Sequence, residues 1–124
     1  MEGVIFSLKD CQSIFNVIKM QTNCVITCGG CSASILLRQM LADILGCTVQ
    51  YSTNAESAAL GVALLAGVGS GIYNNVFEAN NAVKCIGEIS IPVRENTTLY
   101  EPYYLLYKEL YEKLHDSFKF LSDI

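Results

Sequence analysis

Val25-Ile26-Thr27-Cys28-Gly29-Gly30-Cys31-Ser32-Ala33-Ser34, followed by the run from Ile35 to Gly46, decides how this chain is read. A short β-prone apolar run ends in two glycines, and an amphipathic helix begins just beyond them. Glycines there let a ligand approach the backbone with no Cβ in the way. The helix start offers unpaired N–H groups and a positive dipole end, an arrangement that suits phosphate. On spacing alone this is a weak nucleotide signal, and the residues around it decide its meaning.

Working outward, Cys24 to Cys28 reads as a short strand, apolar enough to be buried on both faces. Gly29 to Ser32 is the turn. The next helix runs from Ala33 to Leu45, with Leu36, Leu37, Met40, Leu41, Ile44 and Leu45 as its apolar stripe and Arg38, Gln39 and Asp43 off it. Gly46 is placed as its C-terminal cap. Cys47 to Tyr51 is a second strand. Thr53 and Glu56 fit a capping box that opens a helix from Asn54 to Val68. That helix is full of small residues, and Gly61 costs it roughly 1 kcal/mol against alanine. Two readings of it stand: tight packing on a sheet, or a helix at a hinge between lobes.

Gly69, Ser70 and Gly71 end that helix, and a short one follows from Asn74 to Ala82. Cys85 to Val93 alternates weakly and runs into Pro92, so it is an edge strand or an extended loop. The last helix runs from Leu99 to Leu121 with a tyrosine-rich stripe that suits core or lobe packing. A first helix, Gly3 to Met20, carries Val4, Leu8, Cys11, Ile14, Phe15 and Ile18 at helical spacing. Strands alternating with helices give an α/β fold with a small sheet flanked by helices. Two or three short strands make so small a sheet that strands from elsewhere are expected to complete it.

The 124 residues suffice for one domain, read here as a single partial domain over 1–124. Hydrophobic residues make up 52% and charged residues 16%, with a net charge of -4 and no basic cluster. A nucleic-acid groove is therefore not expected. The longest apolar stretch, Ala58 to Val68, is too short to span a bilayer, and no signal peptide is read at the N-terminus. Cys11, Cys24, Cys28, Cys31, Cys47 and Cys85 then read as reduced cysteines of a cytoplasmic protein. Cys28 and Cys31 have the spacing of redox and zinc motifs. A zinc site needs two more ligands, and the single histidine, His115, lies far off in the last helix, where a surface position is expected. Core or loop packing is the expected role of the cysteines, and no metal site is assigned.

Six segments in order resemble the C-terminal end of the FGGY carbohydrate kinases, and are most similar to the xylulokinases. Glu2 to Asp10 is similar to the helix start of that family. Gly29 to Ser34 matches its nucleotide loop, and Gln39, Ala42 and Asp43 match the motif that follows. Glu56 to Ala63, Leu65 to Tyr73 and Tyr100 to Leu110 match the remaining three. The resemblance covers nearly the whole chain.

It implies an actin-like, ribonuclease-H-type fold with ATP and sugar in a cleft between two lobes, this chain being the end of the ATP-binding lobe. Gly29 and Gly30 then lie against the α-phosphate and ribose, and Ser34 lies near the adenosine through its hydroxyl. Cys31 stands where glycine or alanine is commoner, and Val62 where alanine is usual. The resemblance implies ATP and Mg2+ as cofactors, and a sugar bound mainly by a part of the enzyme absent here. The catalytic aspartate and the Asp-x-Gly-Thr phosphate loop of the family do not occur in this chain. No catalytic residue is assigned, and Asp10, Asp43, Asp116 and Asp123 are expected to be solvated helix-face carboxylates. The chain alone is expected to be inactive and to self-associate through uncovered apolar surface. A non-catalytic remnant that binds nucleotide or a partner, and a cysteine-based metal or thiol protein, remain as alternatives.

Overall fold

A computed structural model describes residues 1–53, 57–83 and 86–123. The elements follow in the order α1 (Glu2–Val17), β1 (Cys24–Thr27), a 3-10 turn (Gly30–Ala33), α2 (Ile35–Leu45), β2 (Thr48–Ser52), α3 (Ser57–Gly69), α4 (Val76–Ala82), β3 (Ile86–Ser90) and α5 (Arg94–Ser122). The expected α/β fold, a small sheet flanked by helices, is the observed one.

Each local signal acts through its own chemistry. Ser34 caps α2 by accepting from the Leu37 N–H, and Gly46 ends it in the left-handed region with φ 66°. Asn75 caps α4 by accepting from the Glu78 N–H at 2.9 Å. The first helix stops at Val17, short of Met20. Lys19 takes φ 60°, and the Met20 N–H folds back onto the Phe15 carbonyl at 2.9 Å. Glu56 of the expected capping box and Cys85 lie outside the described residues.

The strands order β1-β2-β3. β1 and β2 pair in parallel, Cys24 with Thr48 and Thr27 with Tyr51, with α2 as the crossover that a parallel pair requires. β3 returns antiparallel on β2, pairing Val49 with Ser90 and Ser52 with Ile86, through an irregularity between Gln50 and Ser52. Gly87 sits at that irregularity. A Cβ there would stand 2.9 Å from the Thr53 methyl and 3.1 Å from the Tyr51 ring, so only glycine lets the strands approach. The expected edge strand is thus β3.

The core is small. Ile5 and Phe6 of α1, Leu41, Ala42 and Ile44 of α2, Val49 of β2 and Tyr104 of α5 form it. Phe6 packs against three tyrosine rings of α5, at 6.4 Å from Tyr100, 5.9 Å from Tyr104 and 5.5 Å from Tyr107. The tyrosine stripe packs as expected at those three positions, while Tyr103 and Tyr111 are exposed.

Four expectations are corrected. β1 is not buried on both faces: Cys24 and Ile26 are exposed, because β1 is an edge strand that the described elements cover on one side. Asp43 is not solvated. It is buried within α2, as is Arg38, because β3 and the start of α5 cover the side of the helix that the stripe leaves out. Asp10 is half-buried against Tyr104, whereas Asp116 and Asp123 are exposed as expected. The last helix begins at Arg94, five residues before Leu99. The Val93 N–H is held by Asp43 and the Val93 carbonyl accepts from the Thr97 N–H at 3.0 Å. Among the described residues, the main packing partner of the small-residue helix α3 is α4.

Candidate functional site

The carboxyl end of β1, the 3-10 turn and the first turn of α2 meet at one edge of the sheet. Ligands of parallel α/β sheets bind outside the carboxyl ends of the strands. Thr27 ends β1, and Gly29 follows with φ 87°, a conformation that a side chain would strain. A Cβ built on Gly29 or on Gly30 meets no atom within 4 Å. The fold itself therefore does not fill the space above the glycines. Gly30–Ala33 then coils tightly into α2.

Ser34 is exposed, and its hydroxyl accepts from the Leu37 N–H at 3.4 Å. The N–H groups of Ile35 and Leu36 precede the first intrahelical bond, from Arg38 N–H to the Ser34 carbonyl at 3.1 Å. A helix start beside an uncovered glycine pair favours an anion. The side chain of Cys31 lies outside the described residues. The structure thus brings Gly29, Gly30 and Ser34 together on one loop.

Beside the loop lies a groove of about 360 Å3, lined by Ala33, Ile35, Arg38, Tyr51, Thr53, Gly87 and Glu88. Arg38 donates from Nη1 to the Ala33 carbonyl at 3.0 Å and from Nη2 to Glu88 at 2.5 Å. Its guanidinium lies over the Tyr51 ring, 4.8 Å from the centroid. Sequence reasoning missed this cluster. The available signal was an arginine four residues after the capping serine, one helical turn into α2.

Cys11, Cys24, Cys28 and Cys47 are free thiols. Cys11 and Cys28 line an apolar groove of about 390 Å3 between α1, β1 and α2. Cys47 is buried, and burial pushes its thiol above the usual range, which disfavours the thiolate. Three of these four thiols are on the surface rather than in the core, since α1 and β1 each leave a face uncovered. His115 is exposed on α5 beside Asp116, at 3.3 Å. Among the described residues, no group of three or more His, Cys, Asp or Glu side chains is placed to hold a metal ion.

A model of the FGGY family of carbohydrate kinases, C-terminal domain, matches residues 1–70. The xylulose kinase of Staphylococcus epidermidis is 29% identical over 113 residues, which is 91% of this chain and 23% of that protein. A ligand-bound xylulose kinase from Lactobacillus acidophilus superposes with a TM-score of 0.82 at 24% identity, over 97% of this chain and 24% of the other. A gluconate kinase from the same species gives 0.77 at 23% identity, over 91% of this chain and 23% of the other. The chain therefore spans about a quarter of the length of the relatives it matches.

Proposed function

The chain belongs to the FGGY family of carbohydrate kinases, and on that premise we propose that it forms the end of the ATP-binding lobe of a sugar kinase. The activity is transfer of a phosphoryl group from ATP to a sugar hydroxyl, with xylulose or another ketopentose as the substrate class. One observation carries the reading: the open glycine turn at the carboxyl end of β1 leads directly into the N-terminus of α2.

The residues present fit part of a nucleotide. Gly29 and Gly30 leave the backbone accessible to the α-phosphate and ribose. The first N–H groups of α2 supply donors and a favourable dipole for negative charge. Ser34, spent in part on capping α2, faces outward on the adenosine side of the loop. They do not fit Mg2+. Glu88, beside the loop, is committed to Arg38, and no carboxylate cluster stands nearby among the described residues. In this reading the ion and the sugar are held by parts of the enzyme outside this chain, which is inactive alone. The actin-like architecture and a cytoplasmic setting belong to the same proposal.

Photolabelling with azido-ATP tests it. Label on the peptide spanning 24–38, competed by ATP, supports the reading, and label elsewhere or insensitive to ATP overturns it. Sugar-dependent ADP release by the isolated chain would overturn its assigned inactivity. A coding frame that continues upstream of Met1 with an Asp-x-Gly-Thr loop would distinguish a kinase from a nucleotide-binding remnant.

A further inference from the structure

We propose that Arg38 is the positioning residue of the nucleotide loop, holding the turn Gly30–Ala33 in register with the edge strand β3. The proposal rests on the nucleotide reading of that loop. The Arg38 side chain is 4% exposed although it carries a permanent charge, while its partner Glu88 is 72% exposed. Burying a cation is costly unless its donors are satisfied and its charge is met. Here one guanidinium meets three elements at once. Nη1 holds the Ala33 carbonyl at 3.0 Å, which is the last carbonyl of the turn. Nη2 holds Glu88 on β3 at 2.5 Å, and the guanidinium plane rests on Tyr51 of β2 at 4.8 Å.

The backbone of Arg38 adds a fourth tie, its N–H donating to the Ser34 carbonyl at 3.1 Å. Two consecutive carbonyls at the loop–helix junction are therefore held by one residue. Because Arg38 sits one turn inside α2, it is itself rigid, and its reach transmits the position of the sheet edge to the turn. Glycine-rich turns have little side-chain packing of their own, so their shape must be imposed from outside. The task needs a planar fork: two donors aimed at different acceptors while the face stacks on an aromatic ring. A lysine ammonium offers a single compact charge and no plane to stack. Bonds made by a charged donor are the strong ones, so loss of this fork is felt locally.

Hydrogen–deuterium exchange on the 124-residue chain tests the assignment without relying on nucleotide binding. Arg38→Lys is expected to speed exchange of the Gly30–Ser34 amides about tenfold or more, the opening that loss of a hydrogen bond to a charged group permits. Protection in α1 and α5 around Ile5, Phe6 and Tyr104 is expected to stay unchanged. Glu88→Gln, which removes the charge of an exposed side chain but keeps an oxygen to accept from Nη2, is expected to speed the same amides by about threefold. Loop exchange within about twofold of the parent in both variants would overturn the proposal. So would acceleration spread evenly over the whole chain, which marks a residue needed only for stability. Protection of Gly29–Ser34 by added ATP in the parent reports separately on the nucleotide reading. Its absence counts against that reading and leaves the role of Arg38 to the exchange rates.

Discussion

The phenol of Tyr104 donates a 2.5 Å hydrogen bond to Oδ1 of Asp10, joining α5 to α1 across 94 residues of sequence. Around that bond, Lys9 lies 4.7 Å from the Tyr104 ring centroid and pairs with Glu101 at 2.9 Å, and Phe6 packs on the other flank of the ring. The first and last helices of the chain thus meet through one tyrosine that is both core and polar anchor.

Tyr104→Phe keeps the ring and removes only the hydroxyl. It is expected to cost about 1.5–3 kcal/mol, the value of a bond to a charged acceptor. Urea unfolding at neutral pH measures it. A variant as stable as the parent would show that the bond contributes nothing.

The same contact has a pH signature. Burial, then the bond to Asp10, pushes the Tyr104 phenol up to about 12, against about 10 in the unfolded chain. The folded state therefore keeps a proton that the unfolded chain releases first. Stability from this group is full below about pH 10 and is lost as pH rises through about 12. Unfolding midpoints recorded between those limits should fall more steeply for the parent than for Tyr104→Phe. Parallel curves would count against the assignment.

Asp43 ties α2 to the start of α5. Its carboxylate accepts from the Val93 N–H at 2.8 Å, the Asn96 amide at 2.8 Å and the Gln39 amide at 2.9 Å. Asp43→Ala strands three donors and is expected to cost about 2–4 kcal/mol. Asp43→Asn keeps one oxygen in place and lets the Asn96 amide turn, so about 1 kcal/mol is expected. Thermal melts with circular dichroism give both values, and equal losses would refute the network.

The two glycines of the loop are expected to respond differently. Gly29→Ala forces a side chain to φ 87° and costs about 1–3 kcal/mol of stability. Gly30→Val meets open space and has no positive φ, so its melting temperature should match the parent. It should nonetheless abolish ATP-competed labelling of the loop, because its side chain occupies the space proposed for the nucleotide. Full labelling of Gly30→Val would place the nucleotide elsewhere.

Apolar side chains are exposed on several elements, among them Ile26 of β1, Val62 and Leu65 of α3, Phe77 of α4 and Phe120 of α5. Uncovered apolar surface drives association. Light scattering is expected to give a mass above the 13.6 kDa of one chain. A clean monomer would speak against this.

What was legible in the sequence was local. Gly46 as the stop of α2 and the glycine pair before it act within a few residues of themselves, whereas the capping roles of Ser34 and Asn75 emerged only from the structure. The backbone preferences of the glycines need no distant partner, so they can be read in order along the chain. The small-residue helix was harder, since helical spacing shows that α3 forms but not which neighbour it meets.

Sequence by itself determined the succession of helices and strands, the open turn and the family, because each follows from short-range backbone chemistry or from ordered motifs. Only the tertiary structure decided the fate of the charged residues of α2. Arg38 and Asp43 stand off the apolar stripe, where a helix read alone faces water. Glu88 lies 50 residues after Arg38, and Val93 and Asn96 lie 50 and 53 residues after Asp43. Their burial depends on β3 and α5 returning over that side of the helix, a long-range pairing that local spacing cannot encode.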